Sequence, residues 1–267
     1  MLNAKRLSIL GILAFLLFLL AEFPAALVWS ALERVAGGNL PVRISNVGGS
    51  IWSGHLSLSA SGQELLPGSY QLAWQLKPWY VLLGKLRTDI NLKGQFVSLE
   101  GGLGAGLGLS SYQLDHLNGK ADAALVNKIL ENFGVSVESG LRVQDLSLEL
   151  ATKAVQSTSG ASYTGFDFKH AAGNLSWDGG KVFIVQPGLN QTTQMPGIKA
   201  ALSQKDDKLL VHLTQAASGA DLAEAMLKSD GVGGVSVKKR LLLLARVPGI
   251  TPGEEDKVVF NIQQPLF

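Results

Sequence analysis

Short runs along this chain alternate between apolar and polar side chains, with glycines falling between them. Residues 70–77 put Tyr70, Leu72, Trp74 and Leu76 on one side and Gln71, Ala73, Gln75 and Lys77 on the other. That period of two makes a half-buried strand. Residues 55–60, 86–93, 145–150, 209–213 and 257–262 alternate in the same way. One apolar face each predicts a mainly β domain, a largely antiparallel sheet packed on one side. The run Gly101-Gly-Leu-Gly-Ala-Gly-Leu-Gly-Leu109 shares the period, with glycines on one face and Leu103, Ala105, Leu107 and Leu109 on the other. It fits neither nucleotide-loop pattern and reads as a strand whose bare face lets another surface approach closely.

Helical signals are scarcer. Asp122 is placed to cap a helix over residues 123–133, where Leu125, Ile129, Leu130 and Phe133 share a face and Gly134 follows as a stop. A second short helix is expected over residues 221–228. A strand pattern ending in Leu-x-Trp occurs at Trp74 and again at Trp177, preceded by Val42-Arg-Ile44 and by Leu141-Arg-Val143. This echo leaves open a duplicated sheet whose halves meet near residues 120–140, or a chance likeness between regular hairpins.

The N-terminus breaks the alternation. Lys5 and Arg6 precede an apolar run over residues 7–21, Glu22 interrupts it, and residues 23–29 resume it. As a helix, residues 7–29 extend about 34 Å, enough for a hydrocarbon core about 30 Å thick. The run is longer than a signal peptide's apolar region, and Glu22-Phe23-Pro24 spoils the first cleavage position, so a retained single-span anchor is expected rather than a cleaved signal. Basic charge before the span keeps residues 1–6 cytoplasmic, with residues 30–267 on the outer side. Glu22 then lies near the outer interface, with Trp29 in the headgroup belt.

Composition sets bounds on the rest. Hydrophobic residues are 46% and charged ones 16%, too apolar for a disordered stalk, and the formal net charge of +2 lacks the basic footprint of a nucleic-acid binder. There are no cysteines, hence no disulfides or thiol chemistry. His55, His116, His170 and His212 are scattered, and Gly160-Ala-Ser162-Tyr-Thr164 misses the nucleophile elbow by one position. No catalytic residue, metal site or cofactor is expected. Two places are candidates for contact with a partner or with lipid. Trp79, just after Pro78, has no alternation to hold it inside. Lys238, Lys239 and Arg240 form a basic cluster before residues 241–244; they open a buried strand as a charged turn, or they meet acidic headgroups or an acidic partner.

The exit Phe23-Pro-Ala-Ala-Leu27, the turn Gly48-Gly-Ser-Ile-Trp52-Ser-Gly54, and Trp74-Gln-Leu-Lys-Pro78 followed by Leu82-Leu-Gly84-Lys-Leu86 together resemble protein N of the bacterial type II secretion system. That family is similar in turn to the AsmA-like periplasmic β proteins, and Asn174-Leu-Ser-Trp177-Asp-Gly-Gly180 has the form of their units. The resemblance implies a single-pass inner-membrane accessory component with a periplasmic β domain and no catalytic residues. Its partners would be the inner-membrane secretion platform and the protein linking it to the secretin. The alternative is an AsmA-like lipid-handling protein, whose mark would be an apolar row open to solvent; a filled, closed core would mark a protein-binding module.

Overall fold

A computed structural model describes residues 22–35, 42–60, 68–108, 110–156, 162–186 and 189–265, together with residues 12, 15 and 18. The alternating segments become one 14-stranded antiparallel sheet in which nearly every strand pairs with its chain neighbours. Its first part comprises β1 (Val42–Gly49), β2 (Ser53–Ala60), β3 (Ser69–Leu76), β4 (Lys85–Gly94), β5 (Val97–Gly106) and β6 (Ser111–Ala121). The second comprises β7 (Val135–Val137), β8 (Leu141–Gln156), β9 (Ser162–Gln186), β10 (Leu189–Lys205), β11 (Lys208–Gln215), β12 (Asp221–Lys228), β13 (Val232–Lys238) and β14 (Val258–Pro265). β6 pairs directly with β8, so the sheet continues past residues 120–140, while the short β7 pairs with the far end of β9. β1 and β14 are its two edges.

Register aligns the apolar positions into one continuous face. Leu72 lies between Leu56 and Leu92, Leu150 between Tyr112 and Phe168, and Trp177 between Leu141 and Ile198. Leu213 continues the row through Ala223 and Val237 to Phe260. Shifts of register at Leu114/Leu117 and Gln144/Ser147 coincide with His116 and Asp145 at positive φ, their side chains joined to each other. Such bulges bend a sheet. Beside them Gly173 has φ +129, and a Cβ there would lie 2.5 Å from the Leu146 Cα, so the bend requires glycine.

Two pieces cover parts of this face. Helix α3 (Ala123–Leu130) follows the capping prediction: Asp122 accepts from the Ala124 amide, and Gly134, after a 3-10 turn over Glu131–Phe133, closes the end in the left-handed conformation. Leu125 packs into a cluster with Tyr70 and Val97. Asn127 exchanges two hydrogen bonds with the backbone of Val137 and so holds β7. At the other end, Leu241, Leu244 and Ala245 lie over Trp177, Val182 and Met195.

Three expectations change. Residues 221–228 form strand β12 and not a helix, because β11 and β13 offer hydrogen-bond partners on both sides, which overrides weak local helix propensity. Residues 241–244, read as a buried strand that a charged turn at 238–240 would open, instead belong to helix α4 (Lys239–Leu244), whose leucines find their apolar surface on the sheet face. The expected anchor, residues 7–29, lies mostly outside the described residues, among which no helix is long and apolar enough to cross a membrane. Its last part departs from a continuous helix: Pro24 pairs with Ser50, and a separate helix, α1 (Ala25–Val35), begins after it. Proline lacks an N–H and disfavours helical geometry in the residue before it. The Phe23 carbonyl, outside the helix, accepts from the Ile51 amide at 2.9 Å.

Candidate functional site

The polar face carries a cavity of about 630 Å³ lined by Arg87, Asp89, Glu100, Asp115, His116 and Asn118, among others. Its glycines follow the bare-face prediction: positions Gly102 and Gly104 leave room for the side chains of Asp115 and Gln113. Most of its charges are matched within the chain. Lys77 meets Asp89 at 2.8 Å, Arg87 meets Asp115 at 2.6 Å, and His116 meets Asp145. Among the described residues no group of three or more acidic or histidine side chains is placed to hold a metal ion.

The apolar face differs. Away from the areas covered by α3 and α4, toward the strand ends that carry Leu76 and Leu86, it forms a trough of about 560 Å³ whose lining includes Leu76, Leu86, Leu103, Leu114, Leu148 and Leu150. Leu103 and Tyr112 are exposed there. No sequence motif marks this trough, because its leucines are ordinary period-two strand positions; what distinguishes them is that no element among the described residues covers them.

The four candidate contact residues are not brought together. Trp79 sits on α2 (Pro78–Leu82), the excursion between β3 and β4, and is 76% exposed. Lys238, Lys239 and Arg240 lie where β13 joins α4, separated from it by the strands β4 to β12. Two of these cations are satisfied internally. Lys238 reaches Asp221 at 2.8 Å, and Arg240 reaches Asp256 at 3.1 Å and Glu255 at 3.6 Å. Lys239 is half-buried with no ion pair among the described residues. His212 joins Asp221 from the other side at 2.8 Å, and these two hydrogen bonds, Lys238 first, hold the Asp221 carboxyl down at about 2.

The chain matches the family of the type II secretion system (T2SS), protein N, over residues 41–258, from before β1 to the first residue of β14. It belongs to that family. No curated protein and no solved structure matches it. The protein N match covers β1 to β13, both covered areas, the trough and all four candidate residues. Membership makes the chain a type II secretion component, and so an envelope protein that works with other parts of that system.

Proposed function

We propose that this protein is a non-enzymatic accessory component of the secretion machine, held in the inner membrane by its N-terminal apolar segment with the N-terminus cytoplasmic. The β sheet then stands in the periplasm and offers its edges to the inner-membrane platform proteins and to the component that links them to the secretin. The observation that carries this reading is the edge strand β14, which pairs with β13 on one side and with no strand among the described residues on the other, and where Val258, Val259, Phe260 and Ile262 are all exposed. An unprotected edge with apolar side chains is a template for strand addition by another chain. A photo-crosslinking residue at Val259, introduced in whole cells, is expected to give adducts with platform or linking proteins. Adducts with none of them, while the protein stays membrane-bound and folded, would overturn edge recognition.

The trough favours a second reading, lipid handling. Its volume falls in the range of about 300–1,000 Å³ typical of small-molecule sites, and its leucines suit an acyl chain. Lipid co-purifying with the protein, and lost on Leu103→Asp, would carry this reading; an unchanged yield of lipid would end it.

A further inference from the structure

We infer that the end of the sheet formed by the β3–β4 and β5–β6 connections is a membrane-seating tip: Trp79, Leu82, Leu83 and Leu107 rest in the bilayer surface and set the sheet upright upon it. Trp79, Leu82 and Leu83 are 76%, 79% and 71% exposed, and Leu107, on the neighbouring turn, is 52% exposed. A single exposed leucine is ordinary on a soluble surface, but four large apolar side chains on two joined turns are a patch. The turns are joined by the Leu107 amide, which donates to the Gly84 carbonyl at 3.0 Å.

The tip is built to hold its shape. The Tyr80 ring turns inward, with the Arg87 guanidinium 5.2 Å from its centroid, and Arg87 is fixed by Asp115. Turning Tyr80 inward leaves Trp79 and Leu82 facing outward, and the Lys77 amide anchors the start of the excursion on the Arg87 carbonyl at 2.7 Å. Exposed Lys85 follows directly, a cation on a flexible stem that can reach lipid phosphates while the leucines sit deeper.

The bilayer is chosen as occupant because of where the N-terminus enters. Phe23 and Pro24 dock on the β1–β2 turn, through Ile51 and Ser50, and Trp52 in that turn accepts the Leu76 amide at 2.6 Å. The N-terminal apolar segment therefore meets the sheet at the same strand ends that carry the tip. The opposite ends of these strands carry the β4–β5 turn and α3. Tryptophan and leucine beside lysine is the composition of an interfacial contact.

This inference rests on the proposal that the N-terminal segment is held in the membrane, and the test separates the two. The chain has no cysteine, so single cysteines accept a spin label without background. The full-length variants Leu83→Cys, Leu107→Cys, Ile129→Cys and Leu16→Cys are labelled and reconstituted into vesicles of phosphatidylethanolamine and phosphatidylglycerol, and label depth is read by oxygen and nickel-complex relaxation. Labels at 83 and 107 are expected about 5–10 Å below the phosphates, the depth of an interfacial apolar contact. The label at 129, equally apolar in origin and 59% exposed on α3, is expected in water. Labels at 83 and 107 as water-accessible as the one at 129 would overturn the tip, and would point to a protein as its cover. The label at 16 tests the anchor alone: in water it overturns the anchor whatever the tip does.

Discussion

Trp74 on β3 and Trp177 on β9 make the same local arrangement in two different surroundings. Each indole N–H donates to a backbone carbonyl just before the partner strand, Ile51 for Trp74 and Ser139 for Trp177, both at 3.1 Å. Each lies on the apolar face of the sheet. Trp177 is 8% exposed beneath Leu241, Leu244 and Ala245, whereas no helix among the described residues lies over Trp74, which stays half-buried. A shared hydrogen bond and a shared strand pattern thus give one core residue and one residue at the margin of an open surface. What separates them is the covering element, and the same difference separates the closed parts of the face from the trough.

The largest expected break in this comparison is Trp177→Ala. Loss of a buried aromatic typically costs about 3–5 kcal/mol. In a domain of this size that lowers the melting temperature by about 10 °C in a thermal melt of the purified protein. Trp74→Ala is expected to cost about 2 kcal/mol, from partial burial and one hydrogen bond; a melt as depressed as that of Trp177→Ala would mean that Trp74 is covered. Leu241→Ala thins the α4 cover and should destabilise by about 1–2 kcal/mol. It should also raise the exposure of Trp177, seen as a red shift of indole fluorescence that is absent from the Leu241→Ala, Trp177→Phe double variant.

Smaller still is an acid-dependent effect beside α4. Asp221 is held at about 2 in the folded protein against an ordinary value of 3.8, so its contribution is fully present above pH 4 and disappears as pH falls from about 4 to about 2. With its side chain 41% exposed, screening keeps the effect small. Acid titration of stability should show Asp221→Asn flattening the curve in that window while leaving it nearly unchanged in shape above pH 5. Trp79→Ala is expected to leave the melting temperature unchanged, because its side chain rests on nothing that folding requires.

Much of the sheet was legible from periodicity. The strands at residues 55–60, 70–77, 86–93, 145–150, 209–213 and 257–262 emerge where alternation places them, and the capped helix after Asp122 ends at Gly134 as its residues dictate. The failures share a cause. Residues 221–228 carry no alternation strong enough to outvote local helix signals, and residues 239–244 are leucine-rich enough for either state. In both, the outcome rests on whether a neighbouring strand or an apolar surface is waiting. The exposed Trp79 was legible from the end of alternation at Pro78; Leu82, Leu83 and Leu107 beside it were not, since exposure of a leucine is a property of its neighbours.

By itself, then, the sequence determined the β class, the one apolar face and the capped helix, because each follows from the order of side chains within a few residues. Tertiary structure alone decided which stretch of that face is covered, which cations are satisfied and which turns stand together at one end. Those depend on residues far apart in the chain: α4 over Trp177, Asp221 beside Lys238, and the β1–β2 turn that ties the N-terminal segment to the end bearing Trp79.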